Sequence, residues 1–361
     1  MNYKPITAFI LILLLFSSLS AQHNSEMRSY IKTLPVNKET SFEVNNKYGT
    51  IEITNWDKDS VYIRAEVKAY APNNSRLRKL FDGVTVNITD TKYLIRAQTD
   101  FTQNINMLFE SFKGMTGKLI PYDSRIEINY FINIPEYMNL NIENKYGSVY
   151  MEDNSGKLSI SISNGSFKAN DLERVSSITL SFCDATINSI NSGKIDASFS
   201  EISIIEAEDI SINAISSKFD IKKALKIQVE SRRDKFNIDN IEILKGNSYF
   251  TDFKINTLRK VLDIDTRYGN VNIYQIEKGF EAININSNNS DLSLTFEHGS
   301  SYNLDIRRIN AFVVLPDQNS DTEEKVLNED KKEYIIYGTV GNKPGTTKVK
   351  IDATRGHLYL K

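Results

Sequence analysis

The sequence of 361 residues contains one cysteine and three histidines, and this scarcity excludes several kinds of protein. With Cys183 alone, no disulfide can form within the chain, so packing and backbone hydrogen bonds must supply its stability. His23, His298 and His357 each lack a neighbouring histidine, cysteine or carboxylate at the spacing of metal ligands. No phosphate-binding glycine loop or dinucleotide fingerprint occurs either. The sequence therefore predicts neither a metal site nor a cofactor.

Proline, glycine and long apolar runs are also scarce. Seven prolines and sixteen glycines are too few for a disordered or linker-rich stalk. The main apolar run, residues 8–16, follows Lys4 and precedes small residues that end at Ala21, which is the pattern of a secretory signal peptide. This run is too short to span a bilayer, so we expect no transmembrane anchor. The expected location is the periplasm, the cell surface or the medium.

An excess of one charge is missing as well, because 44 basic residues face 46 acidic ones. A balanced chain has no global attraction for nucleic acid or for an anionic membrane, so we expect no nucleic-acid partner. The residues that are abundant are Ile, Val, Phe, Tyr, Thr, Ser and Asn, which are typical of strands and turns. This composition favours an all-β protein.

One phrase recurs along the chain, as NKYGTIEI at 46–53, NKYGSVYM at 144–151 and TRYGNVNI at 266–273. Each copy combines a corner with an apolar–polar–apolar strand. Weaker copies recur at intervals of 17 or 18 residues, with a last interval of 21. The first apolar residue after each corner marks them: Val149, Phe167, Ala185, Ile202, Phe219, Phe236, Phe253, Val271 and Leu292. This period, with two or three short strands per repeat, indicates a β-solenoid whose coils stack about 4.8 Å apart.

We therefore predict an all-β chain that forms a parallel β-solenoid, or β-helix, with coils of 17–18 residues. A smaller, mostly β N-terminal region with one short helix at 75–81 precedes it. The predicted divisions are a signal peptide at 1–21, a mobile leader at 22–39, an N-terminal β-rich region at 40–138, solenoid repeats at 139–315, a polar insertion and strand at 316–345, and a C-terminal capping coil at 346–361.

The third position of each corner forms an aromatic-rich row along the predicted stack. Its members are Tyr146, Asn164, Phe182, Phe199, Ser216, Arg233, Phe250, Tyr268 and Asn289. Stacked rings would stabilise neighbouring coils, and exposed rings would form a strip for sugars or peptides. The aromatic members and Arg233 are therefore candidate ligand residues.

A basic group lies on two adjacent coils of the prediction: Lys218, Lys222, Lys223, Lys226, Arg232, Arg233 and Lys235. We call these seven residues the basic ladder. Such a group is either a solvated patch or a site for an anionic polysaccharide or acidic partner. Lys218, Arg232 and Lys235 join the candidate ligand surface on this second interpretation.

Catalytic chemistry has one candidate pair. The repeat places Asp184 and Glu201 at the same position of successive coils, and glycosidases use two neighbouring carboxylates. Solenoid faces also carry such polar pairs for solubility, and we expect no enzyme. Cys183 has no local base, so we expect a buried or half-buried structural thiol rather than a nucleophile.

The Asn-Lys-Tyr-Gly corner, the alternating strand after it and the Asn-Trp-Asp-Lys turn at 55–58 resemble the exported "putative adhesin" domains of Gram-negative bacteria. These are β-solenoid proteins whose molecular function is largely unknown, and the resemblance covers roughly residues 36–361. It implies a β-helix-like fold, a periplasmic or surface location and a non-catalytic binding role. It brings no catalytic residues with it.

The expected function is thus that of a non-enzymatic, exported, adhesin-like protein that binds or scaffolds other molecules at the bacterial cell envelope. Its expected partner is a glycan or an envelope or surface protein. Two alternatives stay open at this point. One is a carbohydrate-active β-helix enzyme that acts on polysaccharide, and the other is a purely structural envelope protein.

Overall fold

The computed structural model describes residues 24–102, 124–316, 320–342 and 345–361, and the predicted signal peptide lies outside them. The described residues form one continuous sheet system of 23 strands, with one helix. Most strand pairs are parallel and lie one coil apart, so the prediction of an all-β solenoid with a smaller N-terminal β region is confirmed.

The solenoid proper contains ten strands, and the longest of them continue around bends in the coil. They are β8 (Asn139–Lys145), β9 (Val149–Met151), β10 (Asn154–Ser198), β11 (Glu201–Ile215), β12 (Lys218–Arg232), β13 (Lys235–Tyr249), β14 (Asp252–Arg267), β15 (Asn270–Ile276), β16 (Ala282–Asn288) and β17 (Asp291–Phe296). The pairing register joins Ile202 to Phe219, Phe219 to Phe236 and Phe236 to Phe253. The predicted 17-residue register is therefore confirmed in these coils.

Inward side chains form one apolar core along the whole stack. Phe219, Phe236 and Phe253 are at most 1% exposed, and their ring centroids lie 4.8 and 5.1 Å apart in nearly parallel planes. That separation is close to the spacing of hydrogen-bonded strands, so each ring covers the ring of the coil beneath it. We call these three rings the buried ladder.

The N-terminal region consists of β1 (Asn24–Pro35), β2 (Ser41–Lys47), β3 (Ile51–Asn55), β4 (Ser60–Ala71), helix α1 (Asn74–Asp82), β5 (Val84–Asp90), β6 (Leu94–Phe101) and β7 (Arg125–Ile134). The helix predicted at 75–81 exists, and its N-cap is Asn73. The Asn73 side chain accepts a hydrogen bond of 2.9 Å from the Arg76 backbone N–H.

This region continues the solenoid and ends it with antiparallel strands. β2 and β3 form a coil whose strands pair in parallel with β8 and β9, so Lys47 lies beside Lys145. β6 and β7 form a further layer, and β5, β4 and β1 pair antiparallel outside it. The segment predicted as a mobile leader thus contains a strand, because 12 of its residues pair with β4.

The C-terminal part contains β18 (Tyr302–Ile309), β19 (Phe312–Val314), β20 (Ser320–Asn328), β21 (Glu333–Val340), β22 (Lys348–Thr354) and β23 (His357–Leu360). The sequence predicts that the last coil caps the stack, but the structure places this coil inside the stack. β22 lies between β16 and β18, and β23 lies between β17 and β19. The antiparallel pair β20–β21 covers the end instead, and β20 occupies most of the predicted polar loop. An antiparallel end interrupts the stacking of parallel coils.

Candidate functional site

The corners of the coils have an unusual backbone. Ten residues at the third corner position have φ between 51° and 66°, in the left-handed region: Tyr48, Tyr146, Asn164, Phe182, Phe199, Ser216, Arg233, Phe250, Tyr268 and Asn289. Glycine and asparagine adopt this conformation most easily, and a bulky side chain is unfavourable there. The aromatic row therefore stands at positions where the backbone alone would select smaller residues.

Behind the corners, polar side chains join one coil to the next. The Cys183 backbone N–H donates to Ser200 Oγ at 3.1 Å, and the Ser200 N–H donates to Ser217 Oγ at 3.2 Å. The Ser217 N–H donates to Asp234 Oδ1, and the Asp234 N–H donates to Thr251 Oγ1. We call the accepting side chains of Ser200, Ser217, Asp234 and Thr251 the hydroxyl ladder. It satisfies buried backbone donors and makes the corners rigid supports.

Asp234 is the charged member of the hydroxyl ladder and is only 1% exposed. Its carboxylate accepts hydrogen bonds from the Ser217 N–H at 2.6 Å, the Arg232 N–H at 2.8 Å and the Ser231 hydroxyl at 2.6 Å. Burial raises the pKa of the Asp234 carboxyl above its ordinary value, and these hydrogen bonds oppose the shift.

The glycine of the corner phrase has a packing reason. A Cβ on Gly147 would lie 1.8 Å from the carbonyl oxygen of Gly49 in the coil beneath. Other coils have Ser200, Ser217 or Thr251 here, and their side chains join the hydroxyl ladder instead. The recurring Tyr-Gly phrase is thus a device for stacking coils.

The aromatic rings at the third corner position are stacked in pairs. The pairs are Tyr48–Tyr146 at 5.4 Å between centroids, Phe182–Phe199 at 5.0 Å and Phe250–Tyr268 at 5.0 Å. Asn164 and the two residues Ser216 and Arg233 separate them in the row. Phe182 and Phe199 are 58% and 55% exposed, and Phe250 and Tyr268 are both 46% exposed, so stacking leaves much of each ring in contact with water.

One of these pairs belongs to a larger aromatic cluster. The ring of Tyr249, at the end of β13, is nearly perpendicular to those of Phe250 and Tyr268, with centroid distances of 4.6 and 5.5 Å. We call these three rings the corner cluster. Sequence reasoning missed Tyr249, because it precedes the corner row by one position.

Beside the corner cluster lies a groove of about 520 Å³ on the outward face of β11, β12, β13 and β14. Two rows of side chains line it, each member one coil from the next. The first row is Asn213, Glu230, Asn247 and Asp265, and the second is Ile215, Arg232, Tyr249 and Arg267. Sequence reasoning identified only Arg232, although the 17–18-residue spacing of both rows was available as a signal.

A glycine shapes the strand that crosses the middle of the groove. Gly246 has φ of +135°, and a Cβ there would lie 1.9 Å from the carbonyl oxygen of Val229. Its neighbours in the same inward row carry large side chains, such as Val229 and Ile264. The missing side chain lets β13 approach β12 closely immediately before Asn247 and Tyr249 enter the groove.

The structure divides the basic ladder into two sets. Four lysines lie near carboxylates: Lys218 with Asp220 at 2.8 Å, Lys222 with Asp239 at 2.9 Å, Lys223 with Glu206 at 3.4 Å and Lys226 with Asp209 at 2.8 Å. The pKa of Lys218 and that of Lys222 are raised by their hydrogen-bonded carboxylate partners. Arg232, Arg233 and Lys235 remain, and they surround the corner beside the groove.

The predicted ligand residues therefore do not form a single surface. Phe250, Tyr268, Arg233 and Arg232 are gathered at the groove and its corner, and Lys235 follows that corner. Three others lie on coils outside the groove, at Tyr146, Phe182 and Phe199. The candidate site is the groove together with the corner cluster.

The residues considered for catalysis lie in two places, an exposed side of the stack and its buried interior. Asp184 and Glu201 are neighbours in the register, as predicted, and both are exposed on the side of the stack. Cys183 is buried, and its thiol donates to the carbonyl groups of Ile162 and Ser181. Burial raises the pKa of the Cys183 thiol, which agrees with a structural role.

Comparisons with known proteins do not identify a family for this chain. No protein-family model and no curated protein matches the chain. Among solved structures, a putative cell adhesion protein from Clostridium sporogenes is 10% identical, with a TM-score of 0.17, over 93% of this chain and all of that chain. A putative adhesin from Parabacteroides distasonis is 9% identical, with a TM-score of 0.20, over 75% of this chain and 94% of that chain. Such low scores support no argument about this chain.

Among the residues with described positions, no helix has the length and apolarity needed to cross a membrane.

Proposed function

We propose that this chain is a non-enzymatic, exported, adhesin-like protein of the bacterial cell envelope that binds a glycan in the groove beside the corner cluster. The solenoid is the rigid scaffold, and the ligand lies across four coils. Export and an envelope location rest on the signal-peptide pattern and on the resemblance of the corner phrase to adhesin domains.

The observation that carries the proposal is that the corner cluster lies next to hydrogen-bonding side chains of the groove, with Tyr249 belonging to both. Tyr249, Phe250 and Tyr268 offer apolar ring surface, and Asn247 and Glu230 offer amide and carboxylate groups beside it. Sugars have apolar C–H faces and hydroxyl rims, so they need both kinds of partner. A binding site with a few convergent polar groups on an apolar wall meets that need.

Backbone energetics also favour a binding role for these rings. A left-handed conformation costs an ordinary residue about 1–2 kcal/mol. An aromatic pair recovers only about 0.5–1.5 kcal/mol beyond its buried area. Asn164 and Asn289 occupy the same corner position, and asparagine tolerates the left-handed conformation better than an aromatic residue does, so backbone conformation gives no reason to prefer Phe250 and Tyr268.

A glycan array followed by calorimetric titration tests the proposal. We expect the purified protein to bind a glycan and the double variant Phe250→Asn/Tyr268→Asn to bind it at least about 10-fold more weakly, since stacking on aromatic rings supplies much of the contact. The matched control is Phe182→Asn/Phe199→Asn, which removes a similarly stacked, similarly exposed pair from other coils. Equal loss in both variants would assign binding to the whole row instead of the groove.

Two further measurements on the same protein test the alternatives of a carbohydrate-active enzyme and a purely structural protein. Sugar release from polysaccharide that Asp184→Asn or Glu201→Gln abolishes would overturn the non-enzymatic role. Failure to bind any glycan or to capture any envelope protein would leave the role of a purely structural envelope protein.

A further inference from the structure

Four cations beside the corner cluster lack a carboxylate partner within the described ranges: Arg232, Arg233, Lys235 and Arg267. The lysines of the basic ladder on the same coils behave differently, because each of the four is near an acidic side chain. Within the basic ladder, the cations without a carboxylate partner therefore lie together at this corner, next to Arg267. Their positive charge is not neutralised by a neighbouring acid, so it can attract an acidic ligand.

Two of these cations are arranged by the register. Arg232, Tyr249 and Arg267 occupy the same outward position on three successive coils, so the tyrosine lies between the two arginines in the register. The Arg232 guanidinium lies 5.7 Å from the centre of the Tyr249 ring. Two coil spacings separate the arginines, which is about 9.6 Å along the stack axis.

The opposite wall of the groove carries Glu230 and Asp265, each two residues before one of these arginines on its strand. Glu230 accepts a hydrogen bond of 2.8 Å from the Asn247 side chain. These carboxylates accept hydrogen bonds, whereas the arginines only donate them. The groove thus offers carboxylate acceptors in one row and, in the other row, two positively charged donors with an aromatic ring between them.

We infer that the ligand of this groove is an anionic polysaccharide that runs along the stack axis and carries its acidic groups on the arginine side. This inference rests on the proposed function and specifies its ligand class. Sugar hydroxyls donate to Glu230 and Asp265, the sugar ring contacts Tyr249, and the acidic groups accept hydrogen bonds from Arg232 and Arg267. Guanidinium groups suit carboxylate and sulfate groups because their paired N–H donors match two oxygens.

Binding to polygalacturonate and to its fully methyl-esterified form tests the inference, because the two polymers share a sugar backbone and differ in charge. We expect the free acid to bind at least about 10-fold more tightly than the ester, and its affinity to fall as salt screens the charges. Dextran sulfate, measured against neutral dextran, determines whether sulfate groups substitute for carboxylates.

The double variant Arg232→Gln/Arg267→Gln should lose about 10- to 100-fold in affinity for polygalacturonate for each arginine, as expected for charge-assisted hydrogen bonds. The matched control is Lys222→Gln/Lys226→Gln, which changes net charge equally but removes cations that are already near Asp239 and Asp209. The control should retain wild-type affinity within about threefold. Equal losses in the two variants would reduce the effect to net charge and overturn the inference.

Other outcomes separate this inference from the proposed function. Equal binding of the acid and the ester, or binding of neutral glycans alone that depends on Phe250, would overturn the anionic ligand and preserve glycan binding. Equal binding of poly-glutamate that is unaffected by Phe250→Asn would point to an acidic protein partner and overturn the inference. Binding of no saccharide of any kind would overturn both.

Discussion

Two sets of stacked aromatic rings in the solenoid have similar ring spacing but different exposure to water. The buried ladder of Phe219, Phe236 and Phe253 has centroid separations of 4.8 and 5.1 Å and is shielded from water. The corner pair Phe250 and Tyr268 is stacked at 5.0 Å, yet 46% of each residue is exposed. Both sets repeat at the period of the coil. Repetition alone therefore does not reveal which rings hold the coils together.

The two sets also differ in backbone conformation, and this difference distinguishes their roles. Members of the buried ladder lie in regular strands, where aromatic residues are favoured. The corner rings stand in left-handed conformations, where they are unfavourable. Burial of the first set stabilises the fold, whereas the rings of the second set are exposed and stand on strained backbone. We interpret the buried ladder as the source of stability and the corner cluster as a binding surface.

Breaking the buried ladder should have the largest effect on the free energy of unfolding. Phe236→Asp places a charge in the apolar core, and even Phe236→Ala is expected to cost about 3–5 kcal/mol. Lys235→Asp, at the adjacent outward position, should change the free energy of unfolding by less than about 0.5 kcal/mol. Urea denaturation followed by circular dichroism measures both. Similar losses for the two positions would contradict the assigned register.

Removing a member of the hydroxyl ladder behind the corner should have an intermediate effect on the free energy of unfolding. Asp234→Ala leaves the buried N–H of Ser217 without its acceptor, which should cost about 1–3 kcal/mol. Asp234→Ser should recover most of this loss, because Ser217 performs the same role one coil away. A comparable loss in both variants would mean that the hydroxyl ladder does not support the corner.

The buried carboxyl also predicts a dependence on pH. Since burial raises the folded-state pKa of Asp234, its contribution to stability is complete below the unfolded value of about 3.9. The contribution is lost as pH rises through the folded-state pKa. The free energy of unfolding of the wild type, relative to Asp234→Ser, should therefore fall as pH rises above about 4 and then level off. A difference that increases with pH would contradict this sign.

Changing the corner cluster should have the smallest effect on stability. Phe250→Asn loses a ring pair worth about 0.5–1.5 kcal/mol but relieves a left-handed strain of about 1–2 kcal/mol. We expect the free energy of unfolding to change by less than about 1 kcal/mol, while glycan binding is lost. Destabilisation as large as that of Phe236→Ala would show that the exposed rings are structural after all.

The period of apolar residues predicts the solenoid and its register, because each coil must bury the same inward positions against its neighbours. The ends were less predictable. The pairing of β22 between β16 and β18 depends on contacts between segments distant in sequence, and the local pattern of its strands is that of any other coil. A strand at the end of the stack and a strand inside it have the same alternation.

The candidate site was predictable in part. The corner row identified Phe250, Tyr268 and Arg233, because their spacing follows the coil. Tyr249 and Arg267 also follow that spacing, but outward strand positions vary freely and give no apolar signal. The ion pairs of Lys222 and Lys226 depend on carboxylates one coil away, so only the folded register distinguishes these lysines from Arg232.

Hydroxyl-radical footprinting with the most tightly bound glycan of the array shows whether the ligand covers the corner cluster, since tyrosine and phenylalanine rings report their own exposure. We expect the ligand to protect Tyr249, Phe250 and Tyr268, while Tyr274, which is 58% exposed, is labelled as before. Protection of Phe182 with no change in the corner cluster, or no protection of any of these rings, would contradict this expectation.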